Sequence, residues 1–332
     1  MASAWLGAVV STLGSALVLS LLLFARRRLP QDHPRERSLH GRPTPRVGGL
    51  AIWAGFLPAA FLASGVLANP VIWFAAWLAV AAVSLADDWR GVRPAIRLAV
   101  HAAAAVVVTA TILGPERTGE FGPADAAGYA MAVVALVWAA NLYNFMDGSD
   151  GLAAVMGIGG FGAYAAAAVL AGSAPHLHVA LVAAIVPFLL VNLPPAQTFM
   201  GDVGSVPLGF LAAASGLAGC VASVWPAWFP LLVFLPFLAD ATVTLFARMA
   251  RGERVWEAHR KHYYQRLNRL GAGHRGTLLV YSALIAGTAT SAVFALAFAP
   301  DAGWAVLGAW IALIGVVFAG IEYHWRKRSP QS

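Results

Sequence analysis

Long apolar runs alternating with short polar turns dominate this chain. A helix rising about 1.5 Å per residue needs roughly twenty apolar residues to cross the hydrocarbon core of a bilayer. Marked at that length, the pattern predicts about eleven transmembrane helices, which defines an all-α polytopic integral membrane protein. The runs are Ala4 to Phe24, Gly48 to Leu67, Pro70 to Leu85, Pro94 to Leu113, Ala124 to Ala140 and Leu152 to Leu170 in the first half. His178 to Leu193, Val206 to Val221, Ala227 to Ala247, Thr277 to Phe298 and Trp304 to Tyr323 follow. No long polar linker interrupts them, so residues 1–332 form one membrane-embedded domain.

Composition agrees with the pattern, since 60% of the 332 residues are hydrophobic and only 11% are charged. No soluble core of this size hides so much apolar surface. The net charge of +7 and a pI near 10.1 would suit nucleic acid, but the placement of the cations points elsewhere. With the N-terminus outside and the C-terminus cytoplasmic, every Lys and Arg except Arg117 lies in a cytoplasmic loop or tail. That is the positive-inside asymmetry, and no nucleic acid is expected as a partner. Cys220 lies alone within an apolar run, which leaves no disulfide framework or cysteine metal site.

The polar chemistry gathers on the cytoplasmic side, in four turns and one larger loop. PTPRVGG, ending at Gly49, puts Arg46 between rigid prolines and glycines, as a planar fork suited to phosphate. Asp87 and Asp88 end the third run, where helix carbonyls already carry partial negative charge and a cation must lie close. Arg90, Arg93 and Arg97 can supply it structurally, and a magnesium ion functionally. NLYNFMDGSDGL, Asn141 to Leu152, sets two asparagines and two aspartates in a glycine-broken turn between two spans. Capping by Asp150 accounts for one of those carboxylates and leaves the other unexplained. MGDVGS, Met200 to Ser205, holds Asp202 between glycines, with Ser205 expected to cap the eighth span. AHRKHYYQRL places His259 and His262 on one helical face beside Arg260 and Lys261, a set better suited to an anion than to zinc. His101 and Asp240 are the clearest polar residues within spans, too few for a transport path.

Five motifs in this order resemble the polyprenyl-phosphate N-acetylhexosamine-1-phosphate transferase family, of glycosyltransferase family 4 type. The match runs from PTPRVGG through the paired aspartates, NLYNFMDGSDGLA and MGDVGS to HRKHYYQRL. The resemblance implies transfer of a sugar 1-phosphate from a UDP-sugar to a polyprenyl phosphate such as undecaprenyl phosphate. UMP is released, the cofactor is Mg2+ with Mn2+ as a substitute, and the step opens cell-surface polysaccharide assembly at the bacterial inner membrane. Carried over by position, Asn144 and Asp202 would hold the metal, while Asp87, Asp88 and Asp147 would be catalytic. Gly148, Asp150 and Phe199 would line the nucleotide site, and Arg46, His259, Arg260 and His262 would bind the phosphates or the sugar.

Two departures narrow that implication. The triple histidine of the peptidoglycan branch is replaced by His259, Arg260, Lys261 and His262, which argues against a MurNAc-pentapeptide donor. Ser38 stands where many relatives have lysine. NLYNFMDG and HRKHYYQRL most resemble the O-antigen branch, whose donors include UDP-GlcNAc, UDP-QuiNAc and UDP-FucNAc. A homodimer is left open by the resemblance. The rival reading is a transporter of an anionic or lipid-linked solute, which would also use basic loops and acids within spans.

Overall fold

The computed structural model describes residues 2–33, 43–62, 69–114, 123–254 and 260–328. The apolar runs are helices: α1 (Ala2–Phe24), α2 (Gly49–Leu62), α3 (Pro70–Arg90), α4 (Pro94–Leu113), α5 (Pro123–Met146), α6 (Leu152–Leu170) and α7 (His176–Asn192). After them come α8 (Asp202–Val221), α9 (Trp228–Val233), α10 (Leu235–Ala250), α11 (Tyr263–Leu267), α12 (Gly273–Phe298) and α13 (Gly303–Arg328). A two-residue antiparallel ladder pairs β1 (Gln31–Asp32) with β2 (Thr44–Pro45). The chain is an all-α multi-pass membrane protein.

Three differences from the sequence pattern have local causes. Among the described residues, eight helices are long and apolar enough to cross a bilayer, while α2 and α7 are shorter apolar helices. The run Ala227 to Ala247 divides into α9 and α10 at Phe234, because Pro236 has no N–H for a continuous ladder and suits the first turn of a new helix. Helical hydrogen bonding also continues past the apolar runs: α3 reaches Arg90, α5 reaches Met146, and α8 begins at Asp202 rather than at Val206. Asn144 is therefore on a helix, and only the residues from Asp147 to Gly151 form the turn.

The central helix is α8, with 72% of its apolar window buried against 17% for peripheral α1. Small residues allow that position, since helices in lipid associate through close backbone approach. A side chain at Gly209 would lie 2.2 Å from the Ala139 carbonyl of α5, and one at Gly49 would lie 2.4 Å from Gly204 Cα. These contacts hold the N-terminal turns of α8 between α2 and α5. On the outside, Leu13, Leu17 and Leu21 of α1 are exposed along one stripe at four-residue spacing, as a face turned to lipid requires. Backbone bonds join PTPRVGG to the turn before α8: Phe199 N–H donates to Pro45 O (2.7 Å), Gly48 N–H to Phe199 O (2.9 Å) and Gly49 N–H to Met200 O (2.9 Å).

Gly209→Val should force α5 and α8 apart and cost about 1–3 kcal/mol, the range for overpacking a tight contact. Thermal denaturation in detergent should show a lowered midpoint. Gly162→Ala, at a helical position with nothing within 4 Å of an added Cβ, should leave that midpoint unchanged.

Candidate active site

A helix N-terminus leaves its first N–H groups without intrahelical partners. At α8 the partner comes from another helix: Asp88 accepts from the Asp202 N–H (3.2 Å) and the Val203 N–H (2.9 Å). Ser205, expected to cap this helix, lies inside its first turn instead, and its hydroxyl donates to Gly201 O (3.1 Å). Gly201 makes the approach feasible, with φ +73° and no room for a side chain between Arg46 O and Asp88 Oδ2. Arg46 binds the other pole of the arrangement. Its guanidinium donates to the last carbonyls of α3, at 2.6 Å to Asp88 O, and lies 3.6 Å from the Asp88 carboxylate. One cation thus offsets both the helix C-terminus and the buried acid.

Asp202 projects from this junction toward α4 and α5. Arg97, in the first turn of α4, donates through one Nη1 to Asp202 Oδ2 (3.1 Å) and to Asp87 Oδ2. Asp87 also accepts from the Val92 N–H (2.6 Å), which closes the turn between α3 and α4. Asn144 of α5 donates to Asp202 Oδ1 (2.9 Å) and to Ser205 Oγ (3.0 Å). Three helices, α4, α5 and α8, therefore meet at one carboxylate, and Arg97 ties in α3 through Asp87. Among the described residues no three acidic, histidine or cysteine groups already form a metal cage. The arrangement is two carboxylates facing each other across a guanidinium.

The turn between α5 and α6 adds the remaining acids. Asp147 has its pKa raised well above the usual carboxylate value, first by burial and then by the negative charges of Asp202, Asp88 and Asp150. Asp150 does not cap α6. Its Oδ2 accepts from the Ala196 N–H (3.0 Å), and its own N–H donates to His274 Nδ1 (3.1 Å). Asn192 links the same two loops, accepting from the Gly151 N–H (2.9 Å) and donating to Thr198 O (2.8 Å). Phe199 is half-buried in the loop so fixed.

Asp240 secures the last polar segment. Fully buried in α10, it accepts from the N–H groups of Tyr263 (2.8 Å) and Tyr264 (2.9 Å) and from the Tyr281 hydroxyl (2.5 Å). His262 Nδ1 lies 3.3 Å from the same carboxylate, and its ring stacks on Tyr264. Tyr264 then reaches the acid cluster, donating to Phe145 O (3.0 Å) and filling the space that a side chain at Gly148 would need. Glu253 holds the preceding loop through Lys261 (2.6 Å) and Arg251 (2.8 Å), which with Arg248 depress its pKa to about 2. Arg260 is half-buried close to Arg269, whose own pKa is lowered by burial and by the Arg260 charge.

Asp87, Asp88, Asn144, Asp147, Asp150, Asp202 and Arg46, chosen from the sequence, are thus assembled at one end of the bundle. Gly148 and His262 join them through Tyr264. His259 lies outside the described residues. Sequence reasoning did not single out His274, Asn192, Tyr264 or Tyr281. A tyrosine inside an apolar span that also holds an aspartate is a usable signal, because each needs a partner in lipid.

A bundle of apolar helices with an acid cluster at one end, balanced by arginines, defines the class as a multi-pass membrane protein with its polar site at one end of the bundle. Residues 70–220, which include every acid of that cluster, match the profile described as glycosyl transferase family 4. Decaprenyl-phosphate N-acetylglucosaminephosphotransferase of Mycolicibacterium smegmatis is 31% identical over 333 residues, covering 86% of this chain and 80% of the relative. Undecaprenyl-phosphate alpha-N-acetylglucosaminyl 1-phosphate transferase of Yersinia pestis is 27% identical over 319 residues, covering 89% and 85%. Phospho-N-acetylmuramoyl-pentapeptide-transferase of Synechococcus elongatus is 34% identical over 231 residues, covering 60% and 59%. The chain belongs to the polyprenyl-phosphate N-acetylhexosamine-1-phosphate transferase family.

Asp240→Ala should cost about 3–5 kcal/mol, because it strands buried donors and a partnered histidine. Tyr281→Phe, which removes one hydrogen bond, should cost about 1–2 kcal/mol. Limited proteolysis should show more cleavage within residues 260–272 in Asp240→Ala than in Tyr281→Phe, while the remaining loops stay protected in both.

Proposed function

We propose that this protein transfers an N-acetylhexosamine 1-phosphate from a UDP-sugar to a polyprenyl phosphate in the membrane, releasing UMP. The observation that carries the reading is the convergence of Asp87 and Asp202 on Arg97 beside the N-terminus of α8, with Asp147 close enough to feel the charge of Asp202. Charges packed so closely suit a centre that works on polyanions. The names of the relatives from Mycolicibacterium smegmatis and Yersinia pestis, with decaprenyl or undecaprenyl phosphate in both, support the acceptor. Their N-acetylglucosamine group supports a donor of the UDP-GlcNAc type. The cation-rich loops support a cytoplasmic site at the bacterial inner membrane, with the N-terminus outside. Eleven passes follow if the two shorter apolar helices and the α9–α10 pair each count once.

The donor set suits magnesium. Magnesium takes hard oxygens, keeps several waters and is commonly held by one or two carboxylates together with substrate phosphates. Asp202 would hold the ion, with Asn144 orienting its carboxylate and Asp87 on the opposite side of the site. When bound, the ion would neutralise the donor diphosphate and favour the leaving of UMP. Asp88 has both oxygens committed to backbone N–H groups, so we assign it the positioning of Asp202 rather than contact with substrate.

The acceptor phosphate carries its own nucleophile. A phosphate monoester has a second pKa of about 6, so most of it is dianionic at about pH 7. An acceptor oxygen then attacks the sugar-bearing phosphorus, and the bridging P–O electron pair leaves with UMP. Arg260 and the open end of α6 would offset charge on the phosphates, and Phe199 would stack on the uracil. The transporter alternative has no comparable support, because Asp240, the clearest acid within a span, is fully committed to holding the α11 loop.

In membranes supplied with undecaprenyl phosphate, each UDP-N-acetylhexosamine tested singly should identify one donor that releases UMP only when acceptor is present. Asp202→Asn should lower that rate by about 100-fold or more, the scale of losing a main charge-stabilising group. Release of no UMP from any donor by the folded protein would remove the proposal.

Magnesium binding should also release protons. Because Asp147 titrates above the usual 3.8, its contribution to metal-free stability is complete below that pH and is lost as pH rises through the raised value. A cation favours the ionised form, so apparent magnesium affinity should increase with pH across that window. Calorimetry in two buffers of different ionisation enthalpy would detect the released protons; identical heats in both would contradict the coupling.

A further inference from the structure

On the far side of α11 from the acid cluster, a groove of about 530 Å³ opens between the residue 267–272 segment and α13. Leu267 and Leu270 form one wall, and Val316 and Gly320 the other. Toward the water end of α13 the lining changes to His324, Lys327 and Arg328. Positions 316, 320, 324 and 328 repeat every fourth residue, so they form one stripe about 18 Å long on a helix. The stripe is apolar for half its length and cationic at the end, which is the polarity of a phospholipid standing in its leaflet.

No carboxylate among the described residues pairs with Lys327 or Arg328. Arg328 donates to Leu270 O (2.6 Å) and so bridges the mouth of the groove, while Lys327 Nζ lies over the Tyr323 ring. Glu322, the neighbouring acid, is held by Arg266 and Arg326. A headgroup phosphate would therefore meet donors with no competing anion. We infer that this groove is a binding site for an anionic phospholipid of the leaflet on the acid-cluster side, with its phosphate at Lys327 and Arg328 and an acyl chain along Val316 and Gly320.

The site is separate from that of the polyprenyl acceptor. Tyr264 of α11 reaches Phe145 beside the acid cluster, whereas Tyr263 faces away and stacks on Phe318 of α13 at 4.0 Å. A lipid in the groove touches the segment after α11 from behind, so its binding needs neither donor nor acceptor. Cationic pockets between membrane helices recognise anionic headgroups through charge and hydrogen bonding together.

The test is native mass spectrometry of the full chain released from nanodiscs of phosphatidylcholine containing a minor share of phosphatidylglycerol. The wild type and Arg326→Gln should both retain phosphatidylglycerol in preference to phosphatidylcholine, because Arg326 is engaged with Glu322. Lys327→Gln with Arg328→Gln should lower that retention about tenfold or more. Gly320→Phe offers a second variant that keeps every charge, since an added Cβ there meets no atom within 4 Å and the ring beyond it would occupy the groove. It should displace the lipid as well, with an unchanged thermal midpoint. Equal retention by Arg326→Gln and the double variant, retention undiminished in Gly320→Phe, or displacement of phosphatidylglycerol by equimolar undecaprenyl phosphate would each overturn the inference.

Discussion

The structure depends on how several carboxylates are kept together at the end of an apolar bundle. Two unit charges about 4 Å apart repel by about 4 kcal/mol at an effective dielectric of about 20, a large share of a typical domain stability. Arg97 offsets this for Asp87 and Asp202, and the first N–H groups of α8 offset it for Asp88. Among the described residues no cation is placed at Asp147 in the same way, and burial followed by the charges of its acidic neighbours raises its pKa. A site organised in this way favours any further cation that enters, and favours an anion only once that cation is present.

The bundle maintains the arrangement through contacts far more apolar than the site itself. Gly204 and Gly209 bring α2 and α5 against α8, so that Asn144 and Asp202 meet where α5 and α8 pack. Asp240 serves the same purpose on the other side, where a buried carboxylate fixes Tyr263 and Tyr264 and thereby the loop that faces the cluster. The two acids differ in what they bind. Asp240 is saturated by protein donors and is structural, whereas Asp202 meets the protein through one guanidinium and one amide, both of which a substrate complex can rearrange.

Much of this was legible in the sequence because it follows from the cost of charge in lipid. Asp87, Asp88, Asn144, Asp147, Asp150 and Asp202 stand out in a chain with so few polar residues between its spans, and their common side followed from the arginine-rich loops. Helix ends were less legible. Polar residues such as Asn144 and Asp202 continue a helix beyond the apolar layer, so hydropathy ended α5 too early and began α8 too late. The cap of α8 was assigned to Ser205, the nearest residue with a hydroxyl, whereas Asp88 supplies it from more than a hundred positions away. Tertiary capping of that kind leaves no local pattern. His274 and Asn192 were missed for the same reason, since each acts through a loop distant in sequence.

The proposed function rests on a divalent cation being able to take the place that Arg97 holds between Asp87 and Asp202. Binding of Mn2+ to the purified protein, followed by loss of the free-ion electron paramagnetic resonance signal, measures it without substrate or turnover. Replacing Arg97 by Gln removes the competing guanidinium, so the account predicts tighter Mn2+ binding at one site per chain than in the wild type. Weaker or unchanged binding in the folded variant would contradict it.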